Sequence, residues 1–404
     1  MLQLQERLAP LRARTGMDEL SFRLTVLLGQ PPLIDATLRL FSAGILPPQA
    51  RKRFLFAGLE AHELARTLRA IRSLGDWSGA WSAEARRLEI RALAAELPGT
   101  PEAVARAARF WHAASLAYGF AGTAVGVAAT TDDALEAARL SAFRRAAPGL
   151  NPPAEAVTLP WRDTPLPAWL RRPVGATGPT PLVVLFNGAG IVKEEMALWG
   201  EAFLARGMAI LAFDGPGCGE LRGRMATDRG QEDITTTILA WADAHPALDA
   251  DRVALLGVSF GGAQVIHHAA RNPRVAACVS VTPPFDPVPY IDRVHQFVMA
   301  EIAALVGATG AAEIIARAGD LSCLPFVADV GCPTLTIGAA MDTILPPTEA
   351  GRLHRALPGP DKTLIYLRRA THIGLSHIDI WTVLAAEWLA VRLLPQSALT
   401  LPGA

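Results

Sequence analysis

The chain has 404 residues, enough for one or two domains with a large buried core. Its 38 Lys and Arg balance 38 Asp and Glu, a net charge of zero that argues against nucleic acid or an anionic membrane as the main partner. No apolar run reaches the roughly 18 residues of a membrane span, and Met1 to Arg7 carries no apolar signal core. A soluble, cytoplasmic protein is therefore expected. The four cysteines show no C-x-x-C spacing, so neither a metal site nor a disulfide framework is expected, and no cofactor.

Residues 1 to about 150 read as helices. Leu59, Leu64 and Leu68 fall at helical spacing, as do Ala85, Leu88, Ile90, Leu93 and Ala94. Thr100 and Pro101 form a cap and first turn for a helix carrying Trp111, His112, Tyr118 and Phe120. A further helix is predicted from Thr131 to Arg145. Pro148, Pro152 and Pro153 then break the chain, which places a domain boundary at 152/153. From Ala156 the texture changes to short apolar strands: 157–161, 166–170, 182–186, 209–213, 252–256, 275–281, 334–337 and 363–367. Helices alternate with most of them, so an α/β fold with a mostly parallel sheet, right-handed crossovers and helices on both faces is expected. Between about 284 and 332 the strand rhythm stops, and helix-like segments at 290–306 and 311–318 suggest a helical lid.

The most informative stretch is Gly257-Val258-Ser259-Phe260-Gly261-Gly262, between the apolar run ending at Leu256 and the helical run from Ala263. Strand, sharp turn and helix are the context of a nucleophile elbow. Side chains two before and two after the serine would collide, so glycines belong there. A serine hydroxyl needs a base, and an acid to orient the base. On this type of sheet the acid follows a late strand and the base follows the last one. Asp342 stands in the loop after 334–337, whereas Asp329 lies at the wrong end of that strand. His372 stands in the loop after the final strand and is preferred to His377, which falls at the start of the closing helix. An oxyanion hole needs two backbone N–H groups. Phe260 supplies one, and Ala189, with Gly190 as the alternative, supplies the other. Asp214-Gly215-Pro216-Gly217 reads as a structural turn, because no Lys-Ser/Thr follows to make a phosphate loop. Trp111, Tyr118 and Phe120 on the helical part, with Tyr290, Phe297 and Met299 on the lid, suggest a bulky, mostly apolar small-molecule substrate. Of these, Trp111, Tyr118 and Tyr290 are expected to bind it.

The ordered Ser259, Asp342 and His372 resemble the α/β-hydrolase superfamily over roughly residues 156–404. Asn187-Gly188 leading to Lys193-Glu194-Glu195, the Asp214 turn with Gly219-Glu220, and the helical N-terminal segment narrow the likeness. Together they resemble the group of 2,6-dihydroxypseudooxynicotine hydrolase, the fermentation-respiration switch proteins and polyketide-shortening hydrolases. That resemblance implies cleavage of a C–C bond beside a ketone, or of an ester, with the N-terminal helices as a cap and a homodimer as the assembly. It also leaves a non-hydrolytic cyclase or acyltransferase, and a non-catalytic regulatory protein, as rival functions. The sequence departs from the group in reading Ala370-Thr371-His372 rather than Gly-Asp-His. Asp286 is a poor match to the additional acid that the pyridine-ring enzyme uses.

Overall fold

A computed structural model of the chain describes residues 31–46, 48–123, 132–228 and 230–395. The N-terminal heptapeptide and Thr131, at the head of a predicted helix, lie outside them.

The described N-terminal part is helical: α1 (Pro31–Phe41), α2 (Pro48–Phe56), α3 (Ala61–Ala70), α4 (Asp76–Glu96), α5 (Pro101–Ala121) and α6 (Asp133–Ala146). Local chemistry sets several ends. The Thr100 side chain accepts from Ala103 N with Pro101 following it, and Asp132 accepts from Ala134 N and Leu135 N. α4 and α5 are long partners around a core of their own that includes Trp77, Trp81, Leu88, Ala114 and Phe120. Phe143 of α6 leaves that core and joins the layer beneath the sheet, 4.7 Å from the Trp169 ring.

The sheet has eight strands in the order β1-β2-β4-β3-β5-β6-β7-β8. They are β1 (Ala154–Trp161), β2 (Thr164–Arg171), β3 (Thr180–Phe186), β4 (Ala209–Phe213), β5 (Leu248–Val258), β6 (Ala277–Val281), β7 (Thr334–Ala339) and β8 (Lys362–Leu367). β1 pairs antiparallel with β2, and β2 with β4; every later pairing is parallel. Helices therefore cover both faces, and β3, β4 and β6 are buried along their whole length. The two-residue period still sorts their side chains. Val183, Leu185, Ile210 and Ala212 face α7 (Lys193–Trp199), α8 (Glu201–Leu204) and the closing α14 (Ile378–Leu393). Leu182, Val184, Leu211 and Phe213 face α9 (Asp233–Asp243), α10 (Phe260–Arg271) and α13 (Glu349–Ala356). Between β6 and β7 the chain builds α11 (Gln296–Val306) and α12 (Ala311–Arg317). The helix predicted over 290–306 is broken: a single 3-10 turn, Ile291–Arg293, precedes α11, and His295 caps it by accepting from Phe297 N.

Two histidines are locked neutral inside this frame. Burial, with His267 acting the same way, pushes His268 from 6.5 down to about 3, while Thr235 Oγ1 lies 2.7 Å from its Nδ1. Burial and then the Arg171 charge push His112 down to about 3 as well. His112 packs edge-on against Phe143 and has no place in the cavity described below. Between pH 6.5 and about 3 the unfolded chain binds a proton at each site that the folded chain refuses. Stability is thus expected to fall as pH drops through that window, by about 1.4 kcal/mol per pH unit per histidine. His268→Gln should flatten the slope by one histidine's share, read as urea midpoints at pH 7, 5 and 4. An unchanged slope would refute the assignment.

Candidate active site

Ser259 joins β5 to α10 with φ 54° and ψ −119°, a conformation that side chains seldom adopt. Ser259 N donates to Val281 O at 2.8 Å, which pins the turn to β6. The flanking glycines are steric necessities. A Cβ on Gly257 would stand 2.0 Å from Gly261 O, and one on Gly261 would stand 2.3 Å from Phe186 O.

Asp342 and His372 arrive from neighbouring loops because β7 and β8 are neighbouring parallel strands. Met341 N donates to Ala370 O at 2.9 Å, tying one loop to the other. Asp342 is buried; its Oδ1 accepts from Ile344 N at 2.9 Å and Leu345 N at 3.0 Å. Its Oδ2 lies 2.7 Å from His372 Nδ1, and His372 Nε2 lies 2.8 Å from Ser259 Oγ. A carboxylate only accepts, so Nδ1 carries the proton and Nε2 is left to accept from the hydroxyl. The His372 loop is held by Ile373 N donating to Thr282 Oγ1 at 3.1 Å. It is also strapped from outside by α2, whose Lys52 Nζ donates to Ser376 O at 3.1 Å and to Asp379 at 2.5 Å. His377 turns elsewhere, with its Nδ1 2.9 Å from Ser376 Oγ. Asp329 pairs with Arg271 at 3.2 Å.

Phe260 is the first residue of α10, so its N–H is among those a helix leaves without an internal partner. Ala189 is the second residue of a turn closed by Ile191 N donating to Gly188 O at 3.1 Å, with Gly190 at φ 70°. Ser259, His372, Phe260, Ala189 and Gly190 line one cavity of about 330 Å³. Its other walls are mostly apolar, among them Phe54 and Phe120 from the helical part and Tyr290, Phe297 and Leu305 from the segment between β6 and β7. Tyr290 presents its ring there, while its hydroxyl donates to Glu349 at 3.2 Å; burial and that carboxylate raise its pKa well above 10.0.

Trp111 and Tyr118 do not line this cavity, contrary to the expectation from sequence. Trp111 Nε1 donates to Glu96 at 2.6 Å and Tyr118 OH donates to Glu89 at 3.1 Å. Both therefore lie on the face of α5 that packs on α4. Phe120, two residues past Tyr118, points about 200° around the helix, and it is this side chain that meets the cavity. Met299 is likewise absent from the lining, and Asp286 is drawn aside by Arg352 and Ser322. Phe120→Leu is expected to change KM for a bulky substrate, whereas Tyr118→Phe should leave KM unaltered and cost only one hydrogen bond, about 1 kcal/mol of stability. Equal KM shifts in the two variants would contradict this placement.

The Asp214 turn is held by its own side chains and those of the neighbouring loop. Asp214 is fully buried, and its carboxylate accepts from Asn187 Nδ2 at 2.7 Å, Lys193 N at 2.9 Å and Lys193 Nζ at 3.1 Å. Lys193 also pairs with Glu194 at 2.7 Å, and Glu194 pairs with Arg139 of α6. This network locks the loop containing Ala189 and fastens the helical part to it. Two charged residues of the cavity wall, Arg53 and Glu301, escaped the sequence reading. Nothing local distinguishes Arg53 from Arg51 and Lys52 beside it. Glu301 did carry a signal, as the single charge in the apolar helix Gln296–Val306.

A mostly parallel eight-stranded sheet with a serine on the β5–α10 elbow, covered by helices before and within it, defines an α/β-hydrolase fold. Residues 177–314 match the family model described as serine aminopeptidase, S33. The chain is 36% identical over 145 residues to a 2,6-dihydropseudooxynicotine hydrolase of Paenarthrobacter nicotinovorans, covering 36% of this chain and 39% of the relative. It is 30% identical over 253 residues to a 20-hydroxy-prefusarin hydrolase of Gibberella moniliformis, covering 57% of this chain and 58% of the relative. The chain thus matches less than two thirds of either relative's length. The crystal structure of the 2,6-dihydroxy-pseudo-oxynicotine hydrolase superposes with a TM-score of 0.76 at 24% identity, covering 85% of this chain and 95% of that one. At that identity the likeness concerns the fold, which extends through the helical N-terminal part. Among the described residues no single helix is long and apolar enough to cross a membrane.

Proposed function

We propose that the protein is a serine hydrolase that cleaves an ester, or a C–C bond beside a ketone, in a bulky and mostly apolar substrate. The observation that carries this reading is the hydrogen-bonded series Asp342, His372, Ser259 at 2.7 and 2.8 Å, opening into an apolar cavity of about 330 Å³. Ser259 Oγ attacks the substrate carbonyl carbon while His372 Nε2 takes its proton, and Asp342 holds the imidazolium. The Phe260 and Ala189 N–H groups receive the negative charge that develops on the carbonyl oxygen. When the tetrahedral intermediate collapses, the bond to the leaving group breaks and His372 returns the proton to an alkoxide or a carbanion. A carbanion leaves only where an adjacent carbonyl or aromatic ring delocalises it, so a C–C substrate would be a 1,3-diketone or an aryl ketone. Water, activated by the same histidine, then releases the acyl group from Ser259. The names of the relatives, hydrolases in both cases, support this reading. A fluorophosphonate probe should label the wild-type protein at Ser259 and leave Ser259→Ala unlabelled. Equal labelling of the two proteins would sink the proposal.

A further inference from the structure

The polar side of the cavity is built around Arg53, brought in by α2 from the helical part. Its guanidinium is held in a fixed fork: Nε and Nη2 each donate at 2.8 Å to one carboxylate oxygen of buried Glu195. Nη2 also approaches Gly190 O at 3.5 Å, in the loop that contains Ala189. The Phe120 ring lies 5.6 Å from the guanidinium carbon. Among the described residues nothing accepts from Nη1, and the Arg53 side chain keeps 21% of its surface open while lining the same cavity as Ser259. On the same wall Glu301 is bound by Arg222 through contacts of 2.8 and 3.2 Å.

A wholly apolar substrate filling this space would strip water from Nη1 and give it no acceptor, leaving a charged donor buried and unsatisfied. An oxygen acceptor removes that penalty. The charge balance narrows its kind. Arg53 and Arg222 are matched by Glu195 and Glu301, so the wall is already neutral. A substrate carboxylate would add one buried, uncompensated negative charge; a ketone oxygen would not. Resting on the hydrolase reading above, we propose that Arg53 is a substrate-binding, specificity-determining residue. Through Nη1 it takes a neutral carbonyl oxygen of the substrate, separate from the carbonyl that Ser259 attacks.

The test uses p-nitrophenyl esters of one acyl chain length: a plain chain, chains with a single ketone oxygen at successive positions, and a chain ending in a carboxylate. kcat/KM is measured for wild type, Arg53→Met, and the double variant Arg53→Met/Glu195→Gln, which leaves no charge unpaired. Wild type should favour at least one keto ester over the plain ester by about tenfold or more, the scale of a hydrogen bond to a charged donor. It should show no such preference for the carboxylate chain. Both variants should lose the keto preference, read within each protein as the ratio of kcat/KM for the keto ester to that for the plain ester. The proposal is overturned if wild type shows no keto preference, if it prefers the carboxylate, or if the preference survives in either variant. Should neither variant fold, the wild-type ranking alone decides. Absence of turnover on every ester, with Ser259 unlabelled, counts against the hydrolase reading instead. Arg53 is then judged on Ser259→Ala protein by calorimetry: tighter binding of a keto ester than of the plain ester supports it, and equal binding overturns it.

Discussion

Ser259→Ala is expected to lower kcat on the order of 10⁶-fold on any ester the wild type turns over, and His372→Ala by about as much. The members of such a relay act as a unit, because the hydroxyl is a poor nucleophile until Nε2 accepts its proton. Here that unit is closed at both ends, with Ser259 Oγ 2.8 Å and Asp342 Oδ2 2.7 Å from the two nitrogens of His372. His377→Ala supplies the contrast. Its ring is engaged by Ser376 and does not line the cavity, so activity should stay near that of the wild type. A severe loss in His377→Ala with near-normal activity in His372→Ala would overturn the assignment of the base.

Arg139→Met should destabilise the protein by about 3–5 kcal/mol, the usual cost of removing one partner of a buried ion pair. Arg139 and Glu194 are both buried, and Glu194 also accepts from Trp169 Nε1 at 2.9 Å and pairs with Lys193 at 2.7 Å. Burial alone would raise the Glu194 pKa, but Arg139 and Lys193 outweigh it and hold it at about 2. The folded pKa lies below the unfolded value of 4.5, so the contribution is present in full above 4.5 and is lost as pH falls towards about 2. Chemical denaturation at pH 7 measures the loss. Because α6 carries Arg139 and α7 carries Glu194, the loss should also appear as earlier proteolysis between the helical part and the sheet. A change below about 1 kcal/mol, the size expected of an exposed pair, would refute the role.

Much of this arrangement is legible along the chain because its causes are local. Each sheet strand lies on a short apolar run bounded by turn residues, and those runs need no partner to be recognised. The elbow is legible for the same reason: Gly257 and Gly261 are demanded by backbone atoms a few residues away or on the adjacent strand. Asp342 and His372 were found from their places after late strands. Their meeting required only that β7 and β8 pair in parallel, which brings two carboxyl-end loops together.

What a helix faces is another matter. The 3.6-residue period groups Trp111 with Tyr118 on one face of α5, but it cannot say whether that face meets α4 or the substrate. Packing gave it to α4, through Glu96 and Glu89, and left Phe120 for the cavity. The same holds for Arg53. Its place beside Gly190 depends on α2 docking against a loop more than a hundred residues further along, and on Glu195 being there to fix the fork. The sequence by itself determined the strands, the strained serine and the two loops that complete its relay, because short-range sterics and hydrophobic periodicity act within a few residues. Only the tertiary structure decided which side chains of the helical part wall the cavity and where its polar side lies. Those depend on how whole helices dock, and the free energy of docking is set by partners distant in the chain.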